Sequence, residues 1–305
     1  MTEPLTAGQV QTPTAAVPPP ALEASPGPFR RFLKRFLRQR LSLFALGLLG
    51  LLTVIALLAP VIAPFDPNVT NVPEQFTPPG GEHLLGTDDL GRDAFSRLLH
   101  GSRISLLAPL IALGVAVGLG LPLGLVAGFV RGWVDWFISR LADTFMSLPA
   151  IILAIALVAA LGPSTVNAMI AIGIVYAPRL LRVVRGAVLV VREETYIESS
   201  RSIGCSNARI LGGHVLPNIV PPIVVQISLM FGFAVLAEAS LSFLGVGVQP
   251  PAASWGVLLR RGFVNLHEAP WLIFPPGITI MIVVLAVQIV GDGLRDSLGQ
   301  EIRRQ

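Results

Sequence analysis

Four stretches of this sequence carry no charged residue, 41–65, 104–130, 144–178 and 269–291, and a fifth, 210–237, is interrupted only by His214. Each exceeds the roughly 20 residues that cross a hydrocarbon core about 30 Å thick. The run from Thr144 to Pro178 is too long for one crossing, and Gly162-Pro163-Ser164 supplies a turn signal near its middle, so it reads as a hairpin. The pattern predicts an all-α integral membrane protein with six transmembrane helices, near 43–64, 104–129, 143–161, 166–186, 215–245 and 270–291. Composition agrees: 53% hydrophobic and 13% charged residues, with a mean hydropathy of +0.72, exclude an ordinary water-soluble domain.

Orientation follows from the cations. With a cytoplasmic N-terminus, only Arg92, Arg97, Arg103, Arg260 and Arg261 of the 22 Lys and Arg residues fall outside. The reverse orientation violates the positive-inside rule, so both termini are predicted to be cytoplasmic. The net charge of +4 does not indicate nucleic acid, because the basic residues sit beside apolar spans and suit anionic lipid headgroups. Cys205 is the only cysteine, which excludes an intrachain disulfide and a cysteine-cluster metal site, and no metal site is expected.

The chain divides into five regions. Residues 1–28, rich in Pro, Ala and Thr, read as a disordered cytoplasmic tail. Residues 29–40 place Phe29, Phe32, Leu33 and Phe36 at i, i+3, i+4 and i+7 among basic residues, the pattern of an amphipathic interfacial helix. Residues 41–100 hold the first span and an outer segment. Residues 101–293 form the core, with a cytoplasmic loop at 192–214, and 294–305 form a cytoplasmic tail.

Within that loop, Arg192 to Ser202 contains neither Gly nor Pro, and Gly204 then offers a left-handed stop. Ser206 or Asn207 can cap a second short helix running into Ile210 and Leu211. Two short stiff elements at a membrane surface transmit a push that a loose loop absorbs. In the outer segment, Gly86 and Gly91 permit turns, Thr87 or Asp88 can cap the next helix, and Arg92 lies within reach of Asp88 or Asp89.

Glu238 is a carboxylate in an apolar span, which normally faces protein or water. It is either part of a translocation path, with Ser240 and Gln226 as further candidates, or a structural pair with an arginine or a capping partner near the outer surface. Gly114, Gly118, Gly120, Gly124 and Gly128 give three small-xxx-small pairs in the second span, a close-packing signal whose partner helix spacing alone does not identify. Lys34 is the only lysine and has no glycine beside it, so the chain cannot supply a phosphate-binding loop of the G-x4-G-K-[S/T] kind. Any ATP-driven process therefore uses another polypeptide. The alternative is an ion-coupled secondary transporter, which predicts an internal repeat and several intramembrane carboxylates.

The spacing of Glu198, Gly204, His214, Leu216, Pro217 and Asn218 resembles the EAA loop of ATP-binding-cassette (ABC) importer permeases, with Ser199 and Ser200 in place of the alanines. The run 85–97, with Gly86, Thr87, Asp88, Gly91, Arg92 and Asp93, is similar to the GTDxxGRDxxSR signature of permeases in the dipeptide, oligopeptide and nickel importer family. Ala237 to Gly247, Gln249-Pro250-Pro251, Ser254-Trp255-Gly256 and Gly291 to Asp296 extend the likeness to about residues 30–300. The resemblance implies the C-type, or second, permease subunit and a type I ABC importer bundle. It further implies that Glu198, Ser199, Ser200, Gly204, Ile210, His214, Leu216 and Pro217 meet a cytoplasmic ATPase. Implied partners are a second permease, two ATPase subunits holding ATP and Mg, and an extracytoplasmic solute-binding protein. The outer motif and the acidic Asp66, Glu74, Glu82, Asp88, Asp89 and Asp93 are candidates to meet that binding protein.

Overall fold

A computed structural model describes residues 28–302. Residues 1–27 and 303–305, which include nearly all of the predicted N-terminal tail, lie outside the described residues. The helices in order are α1 Pro28–Phe36, α2 Arg40–Leu57, α3 Ala59–Ile62, α4 Ala94–Val130, α5 Gly132–Met146, α6 Ala150–Leu161, α7 Thr165–Val191, α8 Thr195–Ser202, α9 Asn207–Ile210, α10 Leu216–Phe243, α11 Trp255–Val264 and α12 Phe274–Ile302. The amphipathic helix thus closes at Phe36, with the Phe32 and Phe36 rings 6.1 Å apart. The predicted C-terminal tail continues α12 as far as Ile302.

By length and apolarity alone, four helical stretches among the described residues can cross a membrane: Arg40–Leu57, Ala94–Val130, Asn207–Phe243 and Pro270–Leu298. A fifth span arises if α5 and α6 are counted together, and this pair is bent by 94°. The structure therefore corrects the predicted continuous helix at 143–161. Pro149 has no backbone N–H to continue the ladder, and α6 with 12 residues spans only about 18 Å. α7 has 27 residues but carries Arg179, Arg182 and Arg185, so it does not pass as an apolar span. The hairpin before α7 does form: Gly162 takes φ +90° and the Ser164 hydroxyl caps α7 by accepting from the Asn167 N–H at 3.1 Å.

α7 is the central helix, and its most extensive packing is against α4. The reason is the glycine stripe of α4. A Cβ at Gly120 would meet the Ala177 carbonyl at 2.7 Å, one at Gly124 the Val184 Cβ at 2.7 Å, and one at Gly128 the Val188 Cβ at 2.7 Å. The Cβ at Gly120 would also meet the Leu180 Cβ at 3.0 Å, so the series Leu180, Val184 and Val188 advances by four residues as the glycines do, and α4 and α7 run parallel in a fixed register. Gly173 on α7 answers from the other side, against Ala112 and Val115. The small-xxx-small partner is thus a helix of the same chain, as lipid-exposed packing by small residues favours. Gly114 and Gly118 face open space and take no part.

Candidate functional site

One end of the bundle carries α8 and α9. Arg185 there donates to Asp135 at 2.5 and 2.7 Å, and Arg182 pairs with Asp143, so two carboxylates hold α5 against α7. Three residues, 192–194, separate the end of α7 from the start of α8. Ile197 and Ser200, three apart and so on one face, turn inward and are buried, while Glu198 and Ser199 are exposed. Both serines fold their hydroxyls back onto the helix, Ser199 to the Thr195 carbonyl at 2.9 Å and Ser200 to the Tyr196 carbonyl at 2.7 Å. With its hydroxyl satisfied on its own helix, each serine presents little more than an alanine.

Gly204 ends α8 at φ +83°, with its N–H donating to the Arg201 carbonyl at 2.9 Å and that of Cys205 to Ser200 at 3.1 Å. No neighbour lies within 4 Å of the position a Cβ would take, so glycine is required by the left-handed backbone alone. Ile203 is thrust outward beside it, 80% exposed. Ser206 rather than Asn207 caps α9, accepting from the Arg209 N–H at 3.4 Å, and Ile210 plugs the core together with Ile197.

α9 is the first turn of the Asn207–Phe243 span rather than a separate helix, for it runs through a π-turn at Leu211–Val215 directly into α10. Pro217, Pro221 and Pro222 each lack the N–H that an unbroken helix needs, which explains the irregular entry. His214 is half-buried with its ring 6.5 Å from Tyr196, Leu216 is half-buried, and Pro217 is exposed. Asn218 donates to the His214 carbonyl at 2.6 Å. Glu198, Ser199, Gly204 and Pro217 are thus solvent-facing, whereas Ser200 and Ile210 hold the bracket to the bundle.

Two side chains absent from the motif complete the attachment. Arg192 donates to the carbonyl of Phe129 at 2.7 Å, and the Arg201 guanidinium lies 5.2 Å from the centre of the Phe129 ring. Phe129 belongs to α4, more than sixty residues away in sequence, so no local signal marks the contact.

The opposite end holds the outer motif. Gly86 and Gly91 have φ +73° and +69°, and a Cβ at Gly91 would lie 1.7 Å from the Asn71 carbonyl oxygen. Thr87, Asp88, Arg92 and Asp93 are all buried. Arg92 grips Asp88 at 2.9 and 2.6 Å, while the Leu90 and Arg92 N–H groups donate to the same carboxylate. Burial pushes the Asp88 carboxyl up, but these donors outweigh it and hold it below the usual carboxylate range. α4 is capped by Asp93, not by Thr87 or Asp88: Asp93 accepts from the Ser96 N–H at 2.7 Å. Its other oxygen meets His83 at 2.9 Å, and Glu74 lies 3.4 Å from the same ring. Burial lowers the His83 pKa, the two carboxylates raise it, and the net shift is upward. Asp88 and Asp93 therefore face inward and do not join an acidic outer surface, whereas Asp66, Glu74 and Glu82 are exposed.

Glu238 is fully buried near the C-terminal end of α10, and its hydrogen-bond partners among the described residues are hydroxyls rather than an arginine. It accepts from Ser105 of α4 at 3.0 Å and from Ser242 at 2.7 Å. Those hydroxyls in turn accept the backbone N–H groups of Trp255 at 3.0 Å and Val248 at 3.1 Å. The carboxylate thus ties α4, α10 and the start of α11 together, and Gly256 lets α11 approach so closely that a Cβ would sit 2.3 Å from the Ala239 carbonyl. Ser240 borders an apolar groove with Leu236, Phe243 and Leu259, and Gln226 lies about four turns away along α10, so the three path candidates are not brought together. Among the described residues, no group of three or more His, Cys, Asp or Glu is placed to hold a metal.

A multi-pass helical bundle with a polar bracket at one end and a buried polar lock at the other is the architecture of a membrane permease. The chain belongs to the family of binding-protein-dependent transport system inner membrane components, whose model matches residues 120–304, and residues 27–79 match the N-terminal transmembrane domain of oligopeptide transport permease C. It is accordingly a C-type permease subunit of an ABC importer, a transport component and not an enzyme, that couples to a separate ATPase. The glutathione transport system permease protein GsiD of Salmonella typhimurium is 44% identical over 277 residues, covering 90% of this chain and 91% of its own. The dipeptide transport system permease protein DppC of Alkalihalophilus pseudofirmus is 40% identical over 295 residues, covering 96% and 97%. An inward-facing MetNI methionine ABC transporter structure shares the fold, with TM-score 0.57 and 21% identity over 67% of this chain and 97% of that one.

Proposed function

We propose that this subunit imports peptides or related small solutes by alternating access, forming half of the path with a second permease chain. The names of the relatives, dipeptide and glutathione permeases among them, support that substrate range. The reading places six crossings in the bilayer, with α7 as a sixth span shielded from lipid by α4, α6 and α10. The parallel run of α4 and α7 fits this count, since two helices separated by one outward crossing must share a direction. The cation distribution supports cytoplasmic termini. ATP and Mg belong to two ATPase subunits, and an extracytoplasmic solute-binding protein delivers the cargo to the end that carries Asp66, Glu74 and Glu82.

The observation that carries this reading is the exposure of Glu198 on a short helix whose opposite face, at Ile197, is wholly buried. A side chain so displayed is free for a partner, while its backbone cannot slip relative to the bundle. Co-purification in mild detergent tests it: the ATPase subunits accompany the unsubstituted chain and are lost with Glu198→Arg. Retention of the ATPase by that variant contradicts the reading.

A further inference from the structure

We propose that Phe129 is the point at which movement of the α8–α9 bracket enters the bundle, a positioning role that rests on the coupling reading above. Phe129 is the penultimate residue of α4 and is buried. The end of α7 and the last turn of α8 hold it by different atoms. Arg192, just ahead of α8, donates to the Phe129 carbonyl at 2.7 Å and lies 3.4 Å from that of Gly128. These are terminal carbonyls of α4, which have no partner within their own helix, and a cation there also complements the helix dipole. Arg201, in the last turn of α8, covers the Phe129 ring face.

With Arg192, the C-cap of α7, fixed on the Phe129 carbonyl and Arg201 of α8 fixed on its ring, α8 cannot swing relative to the end of α7 without pulling on Phe129. The consequence reaches beyond α4, because Gly124 and Gly128 lock its last turns against Val184 and Val188 of α7. α4 and α7 therefore respond as one body, and the short link at 192–194 does not absorb the displacement. Ile197 and Val188 lie in the same apolar core, which closes the remaining gap between bracket and helix pair.

The test uses the complete complex in nanodiscs, with Cys205→Ser and a single fluorescent maleimide either on α8, through Ile203→Cys, or on α4, through Val126→Cys. Both sites are exposed. Addition of ATP and Mg is expected to change the signal at both positions. Arg201→Gln is expected to leave ATPase co-purification, basal hydrolysis and the α8 signal intact while reducing the α4 response by about two- to fivefold, the range of an exposed cation–π contact. Phe129→Leu, which keeps the apolar bulk, should act alike, and Arg201→Lys should restore part of the response. An unchanged α4 response in both Arg201→Gln and Phe129→Leu overturns the proposal, as does loss of the ATPase in Arg201→Gln, which would place Arg201 in the docking surface. Absence of an α8 signal in the parent complex instead counts against the coupling reading itself.

Discussion

Gly124 of α4 lies so close to Val184 of α7 that a Cβ on the glycine would fall 2.7 Å from the Cβ of the valine. That approach, repeated one turn earlier and one turn later, makes the two helices a single rigid unit at the centre of the bundle. Gly124→Val is therefore expected to destabilise the protein by at least the roughly 1–3 kcal/mol typical of overpacking. Gly114→Ala, on the open side of the same helix, should be neutral. Thermal unfolding in detergent, followed by retention of monodispersity, separates the two, and equal behaviour contradicts the assigned packing.

Asp88 bonds the buried Arg92 and lies 3.6 Å from the buried Arg97, so Asp88→Ala leaves two buried guanidinium groups with only Asp89, 4.0 Å from Arg92, close by among the described residues, and should cost about 3–5 kcal/mol. The carboxyl titrates low, so its contribution is present above the ordinary value of 3.8 and is lost only as pH falls through the lower folded value. Acid unfolding midpoints of parent and variant should converge below that point. Persistent separation in strong acid argues against the assignment.

His83, between Glu74 and Asp93, behaves in the opposite sense. Its folded pKa is raised, so its stabilisation is complete below 6.5 and fades as pH climbs through the folded value. Limited proteolysis of the 66–84 segment should accordingly be slower at mildly acidic than at alkaline pH. His83→Gln should flatten that difference, and an unaltered pH profile in the variant speaks against it.

Glu238→Ala removes the shared acceptor of two buried hydroxyls and should destabilise the outer end by about 1–3 kcal/mol. Glu238→Gln, which preserves one carbonyl acceptor, should be milder, and its transport should fall no further than its stability explains. Transport abolished in a fully stable Glu238→Gln protein would point to the translocation path instead.

Gly204→Val forces a β-branched residue to φ +83° with open space around it. Membrane insertion should survive while ATP-driven uptake falls, because the strain lies wholly in the bracket. Gly204→Asn, which tolerates the left-handed region, should retain more activity.

Much of this was readable in advance wherever a rule is local. The uncharged runs mark α2, α4, α10 and α12, Gly162 and Ser164 mark the hairpin, and Gly204 with Ser206 marks the break in the bracket. What was not readable depends on distant partners. The 94° bend before α6 has Pro149 as its local trace, whereas the ion pairs that hold α5 to α7, Asp135 with Arg185 and Asp143 with Arg182, join residues 50 and 39 positions apart. The same arginines make α7 look too polar to be the centre of the bundle. Asp93, not Thr87 or Asp88, caps α4 because Asp88 is already committed to Arg92. The hold on Phe129 has no sequence signature, since its two arginines follow from the way α4 and α7 end side by side.

Coupling to a cytoplasmic ATPase requires the bracket to face the cytoplasm. Glu198→Cys in a Cys205→Ser background, treated with a membrane-impermeant maleimide, decides this directly. Labelling of inside-out vesicles with protection in right-side-out vesicles is the predicted result, and labelling only from the outer face contradicts it.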